Sequence, residues 1–496
     1  MKKILTLVCF FCLVALAKGQ GSIELKPIPM PQKMSANWDQ CVPLSFIDLD
    51  YPDEKVERWV ASHMTEWYGE FAPKVRIKTA PYMDKPQGEE GYILRADVPG
   101  VVIIKANTFA GVRNALYTLR QLVIPRPGTL KTQGYLLPTC TITDAPKLAF
   151  RGVHLCCLPE TPPDRIERAI RLAALFKFNY IILEPWGTFK SEIHPWRNWP
   201  DASLTKSEIR RLVNISRDLG VTLIPQLAAF GHATMSRSIS SKHAVLDLHP
   251  EYAPLYEPGG WNWCLSNTNT QQVLREAISE LLDAFDHPPF IHLGCDEAQP
   301  PTCPTCRKQN YAKLVTSHIA SLAAFAATNN ARAMIWHDML LEKGDPRWQG
   351  YYASGDKSAP QMLDSLPRSI IICDWEYENG TNVCNTAWPT MRYLKSKGFD
   401  ILGCPWENMQ AAQTMGAALS DMNALGLLQT TWHHLDGKNW TLMYRSGAAA
   451  AWGTPPPPDT PQCDSEFDRA LRFIGHDMKL KSYSSTGLSE KQARYE

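Results

Sequence analysis

A chain of 496 residues, 44% hydrophobic and 20% charged with a formal net charge of +1, is long enough for a large domain plus a smaller one and has ordinary globular composition. Its acids and bases balance, so there is no electrostatic reason to expect nucleic acid or an acidic membrane as a partner. The fourteen cysteines are scattered without a framework of spacings, and no disulfide connectivity follows from them.

In chain order, MKKILTLVCFFCLVALAKGQ sets Lys2 and Lys3 before an apolar run from Ile4 to Ala17 and the small-residue pattern Ala17, Lys18, Gly19. The run is short for a membrane span and no second long one follows. Residues 1–19 are therefore expected to be an export signal, leaving a periplasmic or secreted chain with no transmembrane segment; an uncleaved anchor is the alternative. Residues 20–145 carry the strand-like runs KVRIKTA and YILRADVPGVVIIKA, the second broken by Pro99 and Gly100. The helical pattern FAGVRNALYTLRQLV and the strand-like YLLPTCTI follow. Strands in succession against one helix predict a small α+β domain.

From Phe150 the rhythm changes. RGVHLCCL, YIILEP, VTLIPQLA, FIHLGCDE, RAMIWHDML, SIIICDWEY, DILGCPW and LLQTTWHH are eight short apolar runs. Helical patterns separate them, except for a poorly defined interval between the fifth and sixth, and WTLMYRSGAAAAW follows the last. This alternation predicts a (β/α)8 TIM barrel over residues 146–454, preceded by the α+β domain; an open doubly wound sheet is the alternative, but no GxGxxG loop opens any of the helices. Residues 455–496 read as a proline linker and a short amphipathic helix. Cys303 and Cys306 form a single CxxC in CPTCRK. Without a second pair this is weak evidence for zinc, and a local disulfide or two loop thiols are the other readings.

In such a barrel the carboxyl ends of the strands carry the chemistry. Those ends supply Glu184 and Trp186, Gln226 with His232 in the next loop, and Asp296 beside Glu297. Further on come Trp336 with His337 and Asp338, Asp374 with Trp375 and Tyr377, Trp406 with Glu407, and Trp432. Indole faces stack on sugar rings while carboxylates and imidazoles bind hydroxyls, so this mixture suggests a carbohydrate pocket. Any single Trp is equally compatible with core packing; the coincidence at successive strand ends carries the reading.

The adjacency of Asp296 and Glu297 narrows the chemistry. Paired glycosidase carboxylates usually face each other across the sugar, roughly 5 to 9 Å apart. Two neighbours at a strand terminus lean over the mouth on one side, which leaves the far face without an attacker. A nucleophile supplied by the substrate, a 2-acetamido carbonyl, resolves this. Glu297 would protonate the leaving oxygen and then activate water, while Asp296 would hold the acetamide N–H and stabilise the oxazolinium-like intermediate.

HLGCDE resembles the His-x-Gly-x-Asp-Glu signature of glycoside hydrolase family 20, the β-N-acetylhexosaminidases. RGVHL after ITDAPKLAF is similar to the family's first barrel strand, FGHA to its third-strand loop, and GVRNALYTLRQL to the helix of its small preceding domain. The resemblance covers residues 90 to 450. It implies an exo-acting retaining enzyme acting on glycans that end in β-GlcNAc or β-GalNAc, with Asp296 and Glu297 catalytic and with no metal or cofactor. It implies that Arg151 binds the C3 and C4 hydroxyls, that His232 is the loop histidine near the acid, and that His292 is the motif histidine. Trp336, Trp375 and Trp432 would wall the acetamide methyl and the ring, Tyr377 would donate to the acetamide oxygen, and Glu184 and Trp406 complete the binding set. Departures fall at the sugar-selecting positions: ILEPWGTF where many members have His-x-His or Asp-Asp, His433 and His434 after Trp432 where Trp-x-Glu is common, and Phe230 for a proline. A sugar-binding barrel without catalysis and a metallohydrolase built on His154, His292, His337, His433 and Asp296 compete, the latter without HxH or HExxH spacing. The natural glycan and the oligomeric state stay open.

Overall fold

The computed structural model describes residues 24–126, 134–157, 161–185, 187–198, 204–234, 245–377, 387–432 and 439–455, with the main chain alone at 247 and 439–442. The expected leader, Trp186, His433, His434 and the tail beyond 455 lie outside these residues. The chain divides into two compact units at Ala145/Pro146. No helix among the described residues is long and apolar enough to cross a membrane.

The first unit contains β1 (Lys33–Pro43), β2 (Phe46–Asp50), α1 (Glu54–Tyr68), β3 (Lys74–Ile77), β4 (Tyr92–Val98), β5 (Val101–Ala106), α2 (Phe109–Leu122), β6 (Ile124–Pro125) and β7 (Tyr135–Asp144). Its sheet runs β1-β7-β4-β5-β2-β3, with β6 on β7. Two helices are present where the sequence pattern indicated one. The additional helix, α1, starts at Asp53, whose carboxylate accepts the Lys55 and Val56 N–H groups. It buries Val56, Val60, Met64 and Tyr68, a four-residue spacing that lays one stripe on the sheet.

The second unit is the barrel. Its strands are β8 (Phe150–Cys157), β9 (Tyr180–Pro185), β10 (Thr222–Pro225), β11 (Phe290–His292), β12 (Arg332–Trp336), β13 (Ile371–Trp375), β14 (Asp400–Cys404) and β15 (Gly426–Thr430). All pair in parallel in the order β10-β9-β8-β15-β14-β13-β12-β11. A parallel bridge from Gln226 to His292 closes the circle. Between strands lie α3 (Pro163–Leu175), α4 (Lys206–Asp218), α5 (Thr268–Ala284), α6 (Tyr311–Thr328), α7 (Ala359–Ser365), α8 (Pro389–Ser396) and α9 (Met409–Asp421), with α10 (Asn439–Trp452) last. The interval that lacked a helical pattern holds the short α7. Side-chain caps set where helices begin: Thr205 accepts the Glu208 N–H, Asn310 that of Lys313 and Asn408 that of Ala411. Phe150, Ile182, Ile224, Met334, Ile371, Leu402 and Leu428 fill the lumen, so the mouth rests on a packed plug.

Candidate active site

Strand alternation decides which residues reach the mouth. On β8 the inward series is Phe150, Gly152, His154, since Phe150 belongs to the lumen core and a Cβ on Gly152 would collide with Phe150 and Leu428. Arg151 therefore points outward, at the entry end of its strand. It is 2% exposed. Its Nε donates to the Lys177 carbonyl at 2.9 Å, and one terminal nitrogen donates to Leu148 and Ala149. Its guanidinium lies over Trp452. The expectation that Arg151 grips sugar hydroxyls is corrected: it ties the helix layer to the strand entry.

The acid pair lies on irregular chain just beyond β11. The strand ends at His292, and Gly294, Cys295 and Glu297 then take left-handed φ of +63°, +73° and +48°. These turns cancel the alternation that would send neighbours to opposite faces. Asp296 Oδ2 and Glu297 Oε2 each come to 3.3 Å from the same nitrogen, His232 Nε2. His232 reaches them because its loop passes tightly over the acids; a Cβ at Gly231 would fall 2.0 Å from the Asp296 carbonyl oxygen. Burial opposes a charge on His232, but Asp296 and Glu297 outweigh it and push the imidazole up to about 10. His232 is a cation at neutral pH.

Loops fix Glu297 from several sides. Its N–H donates to Asp338 Oδ2 at 2.9 Å and its carbonyl accepts from Trp261 Nε1 at 2.8 Å. Its Oε1 accepts from the Tyr352 hydroxyl at 3.3 Å. The Ser354 hydroxyl donates to Asp338 Oδ2 at 2.6 Å. Burial, then the charge of Asp296, pushes Asp338 up to about 6 despite the opposing pull of His337 and Ser354. Below these contacts, Glu376 Oε1 accepts the Tyr352 N–H at 2.7 Å, and His337 Nε2 lies 3.1 Å from the Tyr352 carbonyl. Trp261, Tyr352 and Ser354 belong to loops with no strand-end signal, and sequence reasoning missed them. Asp338 stood at a strand end without an assigned role.

Glu297 keeps 39% of its side chain open, whereas Asp296 is nearly covered. An aromatic wall continues from the Tyr352 that touches Glu297. Tyr352 packs on Trp375 at 4.1 Å between centroids, Trp375 on Tyr377 at 5.0 Å, and Tyr377 on Trp406 at 5.1 Å. Trp432 lies 6.4 Å from Tyr377 and 5.5 Å from Trp336. Burial raises the Tyr377 hydroxyl well above its ordinary range, so it stays protonated. Glu184, at the end of β9, sits 3.2 Å from His154 Nε2.

Two expected contact residues occupy a deeper layer. Trp336 and His292 are both 0% exposed, with ring centroids 4.3 Å apart. Burial, with His154 nearby, lowers His292 well below the usual imidazole range; the Gly294 N–H donates to its Nδ1 at 3.0 Å. Both are the last residues of their strands, fully buried and packed together beneath Trp432, so direct sugar contact from either is corrected to support.

An acid pair beside an aromatic wall at the mouth of a (β/α)8 barrel fits a carbohydrate-active site. The chain belongs to glycosyl hydrolase family 20, whose catalytic-domain pattern matches residues 150–450. Among curated relatives it is 28% identical over 277 residues to a β-hexosaminidase of Vibrio furnissii, covering 49% of this chain and 43% of that one. It is 23% identical over 290 residues to a β-hexosaminidase of Porphyromonas gingivalis, covering 52% and 37%. The matches thus span less than half the length of each of these relatives. In fold it is similar to a β-N-acetylhexosaminidase structure from Bacteroides fragilis, with a TM-score of 0.64, 17% identity and coverage of 92% and 96%. An exo-β-N-acetylglucosaminidase from Vibrio harveyi in complex with N-acetylglucosamine gives 0.66, 14%, 91% and 78%.

Proposed function

We propose that this chain is an exo-acting, retaining β-N-acetylhexosaminidase that removes terminal β-linked GlcNAc or GalNAc from glycans, with the sugar's 2-acetamido oxygen as nucleophile. The observation that carries the reading is the shared contact of Asp296 and Glu297 with one His232 nitrogen. It puts both carboxylates on the same side, where a proton donor and an acetamide holder are needed and a carboxylate attacking the far face is not.

In the first step Glu297 gives its proton to the glycosidic oxygen as the bond to C1 breaks, and the acetamide carbonyl oxygen bonds to C1. Asp296 accepts the acetamide N–H and balances the positive charge that develops on the ring being formed. In the second step Glu297, now a carboxylate, takes a proton from water as the water oxygen bonds to C1 and the acetamide is released. Two displacements at C1 return the original anomer. The Tyr377 hydroxyl is the donor that orients the acetamide oxygen, and Trp375, Trp406 and Trp432 cover the methyl group and the ring face. The expected leader places the substrate outside the cytoplasm; mass analysis of the mature N-terminus checks this.

The deciding experiment compares an aryl β-N-acetylglucosaminide with the aryl β-glucoside, following the product anomer by NMR. The expected result is hydrolysis of the first alone, with retention. Inversion, a trapped ester between protein and sugar, or comparable rates on both substrates would overturn the reading.

A further inference from the structure

Four buried side chains beside the acid pair have no part in this chemistry. Glu257 and Cys264 lie on the segment between β10 and α5, and Cys303 and Cys306 on the segment between β11 and α6. One ligand-type atom from each lies within 4.8 Å of all the others. Cys264 Sγ is 3.9 Å from Cys303 Sγ and 3.8 Å from Cys306 Sγ. A disulfide closes at about 2.0 Å. The edge of a tetrahedron with metal–sulfur bonds of about 2.3 Å is about 3.8 Å.

The carboxylate is the second sign. Glu257 is 6% exposed. Its Oε2 accepts the N–H groups of Thr302 at 2.8 Å and Cys303 at 2.6 Å. Its Oε1, buried against the thiols, has no N–H or hydroxyl donor among the described residues. A Cys303–Cys306 disulfide would take away both thiols that face that oxygen and strand the third sulfur. The surroundings also suit thiolates. The Cys306 N–H donates to Cys303 Sγ at 3.2 Å, and Ser266 Oγ, which accepts from Gln309, lies 3.0 Å from Cys306 Sγ, where its hydroxyl can donate to a thiolate.

We propose that Glu257, Cys264, Cys303 and Cys306 together hold one zinc ion in a closed tetrahedral site. Three thiolates and a carboxylate carry the same charge as a four-cysteine structural site, and no position is left for water, so the ion is structural. It clasps two mouth loops. Between Glu257 and Cys264 lies Trp261, which holds the Glu297 carbonyl, and Asn262, whose amide exchanges hydrogen bonds with the main chain of Gln299. The clasp thereby fixes the segment that follows the acid pair.

Elemental analysis of the full chain purified without chelator tests this. The expected content is about one zinc per chain, falling roughly tenfold or more in Cys264→Ser and Cys306→Ser, while Cys41→Ser, in the first unit, keeps its metal. Should the cluster variants fail to fold, the wild-type chain still decides: stripping with chelator should lower Tm and expose three alkylatable thiols, zinc should restore Tm, and cobalt should give thiolate-to-metal charge-transfer absorption. A chain purified without metal, zinc content unchanged in the cluster variants, or a Cys264–Cys306 or Cys303–Cys306 disulfide in peptide maps of untreated protein would overturn it.

Discussion

Arg151 and His232 are both buried cations of one barrel, and they are held in opposite ways. Arg151, at the strand entry, spends its N–H groups on the carbonyls of Lys177, Leu148 and Ala149. These acceptors are main-chain atoms of the strand entry and the helix layer. His232, at the mouth, leans on two carboxylates that can gain and lose protons. A charge locked to backbone contributes to stability, whereas a charge balanced by titratable neighbours can take part in moving a proton.

The comparison breaks most sharply at Glu297. Glu297→Gln keeps the shape and the Tyr352 contact but removes the transferable proton, so kcat/KM on a natural glycoside should fall by about 1,000-fold or more with Tm almost unchanged. Asp296→Asn should cost about 100-fold, because the amide can present a donor where the acetamide N–H needs an acceptor. Affinity for a thiazoline mimic of the cyclised intermediate should fall in parallel, as steady-state inhibition would reveal. At the entry end the pattern should invert. Arg151→Met leaves several buried carbonyls without donors and should cost about 2 kcal/mol in urea unfolding, while KM changes by less than about twofold. A large rise in KM would return Arg151 to the sugar.

The same contrast shows what the chain's letters reveal and what they hide. All eight barrel runs were legible because a buried parallel strand is a short apolar run and all but the fifth are followed by helical periodicity. The acid pair was legible because two acids directly after an apolar run have few structural uses. Arg151 misled because a strand-start residue carries no mark of its face; only the inward placement of Phe150 and Gly152 settles it. Trp336 and His292 misled for a related reason. β11 ends at His292 and the mouth is built on the irregular residues after it, so strand-end residues sit one layer lower than their position in the run implies. Trp261 and Tyr352 were invisible because loops of no regular period deliver them. Cys264 and Glu257 meet the CxxC only through a long-range contact across two loops.

Asp338 gives the smallest and most discriminating test. It accepts the Glu297 N–H and the Ser354 hydroxyl on one oxygen, while burial and Asp296 push it up to about 6. An acid raised in the folded state favours its protonated form there, so its contribution to stability is full below its unfolded value near 3.9 and is lost as pH rises through about 6. Between pH 5 and pH 7 that loss amounts to about 1 kcal/mol. Asp338→Asn retains an acceptor for both donors and cannot ionise, so its stability should lack this part of the pH slope and exceed that of the wild type more at pH 7 than at pH 5. Glu376, raised to about 7 chiefly by burial, slopes the same way in both proteins and cancels in the difference. Parallel urea curves for wild type and Asp338→Asn at the two pH values would remove the distinction between a barrel end fixed by backbone and one poised by protons.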